Sequence, residues 1–322
     1  MTAERRDDVD LDAAFRAFQA ATNEKTITAD VLSALLRNAV ETGAALSGDG
    51  PLALYVPGIG EGVQAAGYAA TLHRITGRTI RFASDEPSPE MAEAARRRLE
   101  ALPFVEGVEI TLGSAFGPAG ISAHRVDYAE LSHMLYYVPA PDAVAPTLRA
   151  VVERLSPSGM ASLVHNVSGS NIEEIMARYS PLVLPDPVPL VERAAEERGL
   201  ELLGFDYRAA LAFGDPARLD RLRAVPTDGA ERSGQTARKV ECLCQRGLDD
   251  LERAGLLERA LDDLKARLDA EGRLEIRNRV QILPSPALAA DDGALAKLRE
   301  SVAQTAAEVP EIARRHPMPE PA

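Results

Sequence analysis

The stretch 52–62, LALYVPGIGEG, constrains the fold more than any other part of this 322-residue chain. A short apolar run, 52–56, ends in a turn with glycines at 58, 60 and 62, and a helix-compatible run follows over 63–75. Strand, glycine turn and helix open a nucleotide-binding βαβ unit. Glycine is needed where a side chain would hold the backbone away from a ligand. The free N–H groups at the helix start favour an anionic group. A glycine turn between a strand and a helix is often only a turn. The next strand, 79–84, gives this one more meaning, because it ends in Asp85 and Glu86. An acid at the end of the second strand can accept hydrogen bonds from both hydroxyls of a ribose.

Further strands are expected near 108–112, 125–131, 160–165, 202–209 and 273–283. Helical runs fall at 88–102, 142–155, 172–179, 190–199 and 252–270. Strands separated by helices specify an α/β fold with a parallel, doubly wound sheet. Right-handed crossovers gather the ligand-binding loops at the carboxyl ends of its strands. Before the sheet, 10–21 places Leu11, Phe15 and Phe18 at helical spacing, and Thr28 can cap a second helix over 29–45. The expected organisation is a helical cap over 1–50 and a main domain over 51–284, with inserts at 172–190 and 210–250. Residues 285–322 read as a tail, loosely ordered or carrying one helix near 294–308.

Composition excludes several classes. Lys and Arg number 36 against 49 Asp and Glu, so the net charge is 36 − 49 = −13, wrong for a nucleic-acid binder. Cys242 and Cys244 can form neither a disulfide framework nor a four-ligand zinc site, and no metal is expected. The charged start lacks the apolar core of a signal peptide, and no apolar run is long enough to cross a bilayer. A cytoplasmic monomer or homodimer is expected, with a small-molecule or peptide partner and no membrane.

Dinucleotides and S-adenosylmethionine share this opening. The turn is GxGxG, not the GxGxxG of dinucleotide sites, and Glu61 lies where a pyrophosphate would come close. An acid there suits a cationic ligand, so S-adenosylmethionine is expected, leaving S-adenosylhomocysteine as product. Gly58, Gly60 and Gly62 would meet its amino-acid part. Glu86, with Asp85 as competitor, would take the ribose, and Ser114 would lie near the adenine.

The order of pieces resembles a class I S-adenosylmethionine-dependent methyltransferase, and more narrowly the histamine N-methyltransferase family. The segments AFRAFQAATNE at 14–24, PGIGEG at 57–62, EPS at 86–88, HMLYYV at 133–138, VSGS at 167–170 and IRN at 276–278 carry the likeness. It spans roughly residues 10 to 283. The resemblance implies a Rossmann-like sheet of seven strands, with the N-terminal helices and inserts forming a small substrate-binding part. It implies that Glu86, Ser88, Ser114 and Ser132 contact the cofactor. It places an acid, an amide and an asparagine of the amine pocket on Glu24, His133 and Asn278. His133 departs from the amide, and Ile172–Met176 stand where the family has tryptophans, so histamine itself is not the expected acceptor.

In this reading Glu24 holds a cationic amine and His133 takes its proton. Phe15, Phe18 and Tyr137 would wall the pocket, with Tyr136 as the alternative wall. Each also has a plainer reading: packing for the aromatics, a solvated or capping acid for Glu24, hydrogen bonding for His133 and Asn278. A carboxylate acceptor held by Arg277 or Arg279 is the competing enzyme reading. A cofactor-binding scaffold without turnover is the non-enzyme one.

Overall fold

The computed structural model describes residues 11–114, 125–138, 141–181, 186–197, 199–223 and 234–317. The strands are β1 (Leu52–Tyr55), β2 (Ile80–Glu86), β3 (Val105–Leu112), β4 (Val126–Ser132), β5 (Leu155–Asn166), β6 (Leu203–Ala212) and β7 (Arg273–Pro284). They form one seven-stranded sheet in the order β3-β2-β1-β4-β5-β7-β6. β1 to β5 pair in parallel, whereas β7 runs antiparallel to both its neighbours. The doubly wound α/β sheet expected from the sequence is therefore present, with its order reversing between β1 and β4.

The helices are α1 (Leu11–Ala20), α2 (Glu24–Glu41), α3 (Val63–Thr76), α4 (Pro89–Glu100), α5 (Val144–Arg154), α6 (Asn171–Tyr179) and α7 (Pro187–Glu196). After β6 come α8 (Ala217–Arg221), α9 (Gln235–Cys244), α10 (Leu248–Arg253) and α11 (Leu257–Arg267); α12 (Pro286–Ala289) and α13 (Asp292–Arg315) close the chain. Strand alternation divides the buried side chains between two faces. Leu54, Tyr128, Met160 and Val164 join the core beneath α2, α3 and α4. Ala129, Leu131, Ala161 and Leu163 join the core with α5 and α7. No described helix is long and apolar enough to cross a membrane.

Two expectations change: α2 starts at Glu24, so Thr28 lies inside it and does not cap it, and one charged helix is divided. The single charged helix over 252–270 is two helices, because Gly255 turns the chain at φ +65° between α10 and α11. In the C-terminal segment the expected helix is present and longer, over Asp292–Arg315. Leu295, Leu298, Val302, Val309 and Ile312 are buried on one stripe of α13. A polar seam ties that helix to α2: Asn38 Nδ2 donates to Thr305 Oγ1 at 3.0 Å, and Arg37 pairs with Glu308 at 2.5 Å.

His165 on β5 is buried, and its Nε2 lies 2.6 Å from Gln281 Oε1 on β7. Burial lowers its pKa from 6.5 to about 4. The unfolded chain therefore binds this proton first. Its contribution to stability is complete above about pH 6.5 and is lost as pH falls towards 4, for a total of roughly 3 kcal/mol. Denaturant unfolding at about pH 7 and about pH 4 should show a loss smaller by about that amount in His165→Gln. An identical loss in both proteins would contradict the assignment.

Candidate active site

The glycine turn has the backbone that its composition demands. Gly58, Gly60 and Gly62 sit at φ +65°, +57° and +72°, a region L side chains rarely adopt. At Gly62 a Cβ would also lie 3.2 Å from the Ala95 backbone, so the turn packs closely on α4. The two acids that end β2 part company by strand alternation. Asp85 accepts a hydrogen bond from Tyr55 Oη at 2.6 Å and is buried. Glu86 faces the turn instead: Oε2 accepts from Gly60 N at 2.9 Å and Oε1 from Ser88 N at 3.0 Å. Each carboxylate oxygen keeps a second lone pair for a ribose hydroxyl. Of the two acids, Glu86 is the one that faces the turn.

The other expected cofactor residues lie around this crevice in different roles. Ser88 is the N-cap of α4, its Oγ accepting from Met91 N at 3.4 Å. Ser114 follows β3 two residues after Leu112, which pairs with Glu86 in register. Ser132, at the end of β4, gives its hydroxyl hydrogen to Glu130 Oε1 at 2.5 Å and accepts from Gln64 Nε2 at 3.3 Å. Glu61 turns towards Arg98 of α4, 3.9 Å away, so it is not the acid that faces the turn.

On the acceptor side, Glu24 is buried at the first turn of α2, where the helix end favours negative charge. Asn278 Nδ2 on β7 donates to Glu24 Oε1 at 2.8 Å. His133 Nε2 lies 3.5 Å from the same oxygen. His133 follows β4 at φ +51°, held there by its N–H to Val164 O at 2.8 Å. Three residues far apart in sequence therefore meet at one carboxylate. Asn166 joins them, since it pairs with Asn278 in register across β5 and β7. Sequence reasoning did not single out Asn166; its place as the last residue of β5, before VSGS, was the available signal. His133 Nε2, Asn278 Oδ1 and Asn166 Oδ1 are all buried without a hydrogen-bond partner among the described residues. Buried polar atoms are normally satisfied, so a cluster of them points to a ligand.

The aromatic walls differ from expectation. Phe15 is 38% exposed and stacks against Phe18, ring centroids 6.5 Å apart, while Phe18 is buried in the main core. Tyr136 and Tyr137 lie in a 3₁₀ turn over Leu135–Tyr137. The Tyr136 hydroxyl accepts from Asn166 N–H, and its ring lies 6.2 Å from that of His133. The Tyr137 side chain lies outside the described residues. Glu173 accepts from Gly169 N at 3.0 Å and Glu174 pairs with Arg267 at 2.6 Å. Arg277 donates to Gly169 O and Arg279 pairs with Asp206. Among the described residues no group of three metal-ligating side chains is placed to hold an ion.

The strand order, with its antiparallel β7 and its glycine turn at the switch point, defines the Rossmann-like fold of class I methyltransferases. Loganic acid methyltransferase, solved with S-adenosylhomocysteine, matches at a TM-score of 0.51 and 12% identity, over 82% of this chain and 95% of its own. YcgJ from Bacillus subtilis (TM-score 0.46, 14% identity, 77% and 98% covered) is also similar. So is a putative methyltransferase from Bacillus halodurans (TM-score 0.44, 16% identity, 78% and 98% covered). No protein-family model matches the chain, and neither does any curated sequence.

Proposed function

We propose that this protein is an S-adenosylmethionine-dependent methyltransferase whose acceptor is an amine nitrogen of a small molecule or peptide. It would be related to the histamine N-methyltransferases, with an acceptor other than histamine. The observation that carries the reading is the convergence of Glu24, His133, Asn278 and Asn166, which offers acceptor atoms to a group rich in donors. A protonated amine is such a group. The glycine turn and the Glu86 carboxylate suit the cofactor's amino-acid and ribose parts, and Ser114 and Ser132 lie at the neighbouring strand ends.

When bound, S-adenosylmethionine supplies an electrophilic methyl carbon. Glu24, steadied by Asn278, would hold the ammonium by a charge-assisted hydrogen bond. His133 Nε2, beside the same carboxylate, would take the proton that the nitrogen must lose. Positioning of the freed lone pair supplies most of the remaining catalysis. A carboxylate acceptor is less suited to the site, because Glu24 would repel it and both neighbouring arginines are engaged elsewhere.

Incubation with methyl-labelled cofactor and a panel of amines and carboxylic acids tests this reading. Label stable to alkali and found only in amines is expected. Label released as methanol by alkali would mark methyl esters and overturn it.

A further inference from the structure

We infer that the hydroxyls of Thr22 and Thr28 brace Glu24 against β6 and so act as positioning residues for methyl transfer. The inference rests on the reading that Glu24 holds the acceptor amine. Glu24 belongs to α2, outside the sheet, whereas Asn278, which donates to it at 2.8 Å, belongs to β7. The start of the helix must therefore be registered against the sheet, because a hydrogen bond weakens within a fraction of an ångström.

β6 supplies that register. It ends the sheet, and the segment before α2 lies along its outer edge. Ala212 N donates to Ala21 O at 2.9 Å, Thr22 bridges Leu211 in the antiparallel sense, and Ala210 N donates to Asn23 Oδ1 at 2.9 Å. On its inner edge β6 pairs with β7, with Tyr207 opposite Asn278.

Two hydroxyl lines run from β6 to the backbone of Glu24. Thr22 Oγ1 donates to Ala210 O at 2.9 Å and accepts from Glu24 N at 3.1 Å. Thr28 Oγ1 donates to Glu24 O at 2.7 Å and lies 2.5 Å from Tyr207 Oη. A hydroxyl has one hydrogen, and that of Thr28 goes to Glu24, so Tyr207 is the donor to Thr28. Glu24 is thus held at its N–H and at its C=O, and both lines end on the strand beside Asn278. Thr22, Thr28 and Tyr207 are all buried. A threonine near a helix start commonly does no more than cap it. Here two of them hold the one residue whose carboxylate meets both Asn278 and His133. A shift of about 1 Å in such a group can cost on the order of 10²-fold in rate.

A double-mutant cycle tests the inference. Thr22→Val keeps the side chain's shape and removes the hydroxyl. It should lower kcat/KM for the amine on the order of 10-fold, with affinity for S-adenosylhomocysteine within about twofold of wild type. Thr22→Ser should stay within about threefold of wild type, because it keeps the hydroxyl. Added to Glu24→Gln, Thr22→Val should cost less than about twofold more, since the brace acts through that carboxylate. Thr28→Val combined with Tyr207→Phe removes the second line without stranding a buried donor, and the same pattern is expected. Losses that multiply in full with Glu24→Gln in either series would overturn the inference. So would a fall in donor affinity that matches the fall in kcat/KM. A wild type that methylates no amine would overturn the amine reading, and the inference with it; full multiplication in an active wild type overturns the inference alone.

Discussion

Replacing Glu24 with glutamine is expected to lower kcat/KM for the amine acceptor by roughly 10²- to 10³-fold, with affinity for S-adenosylhomocysteine within about twofold of wild type. Glu24 is buried and accepts from Asn278. An ammonium brought into that site without its counter-charge loses the partner that makes its desolvation tolerable. Glutamine keeps the shape and one acceptor oxygen, so the fold should survive. Steady-state kinetics and calorimetry on one preparation separate the two effects. A variant that loses donor binding as well would show that Glu24 supports the fold, not the acceptor.

Replacing Glu86 with alanine should weaken S-adenosylhomocysteine by about 10²-fold or more. Two losses combine. The ribose hydroxyls lose a charged acceptor, and Gly60 N and Ser88 N lose the carboxylate that now holds the turn in place. Asp85→Asn should change donor binding little by comparison, because that side chain is engaged by Tyr55. Equal losses in the two variants would contradict the assignment of Glu86.

The contrast between those acids shows what the sequence could tell and what it could not. The alternation of apolar runs and helices, with one glycine-rich turn, marked the sheet and its ligand-binding edge, because those signals are local. Which acid faces the turn depends on the strand's phase against the sheet, and this emerges only from packing. Glu24, His133 and Asn278 were legible through a family likeness and not through spacing, since they are far apart in the chain and meet through β7 and α2. Asn166 offered only its place before VSGS, and its unfilled hydrogen-bonding capacity is not something a sequence displays. The C-terminal helix was legible near 294–308, but not its full length over Asp292–Arg315. Leu295, Leu298, Val302, Val309 and Ile312 recur at spacings of three, four, seven and three, and Pro310 obscures the continuation of that stripe to Ile312.

A crystal structure with S-adenosylhomocysteine tests the placement of donor against acceptor most directly. The expected result is a ligand seated on the turn of Gly58, Gly60 and Gly62, its ribose on Glu86 and its sulfur facing the hollow between Glu24 and His133. A sulfur turned away from those two side chains, or a turn that takes up a nicotinamide dinucleotide instead, would contradict it.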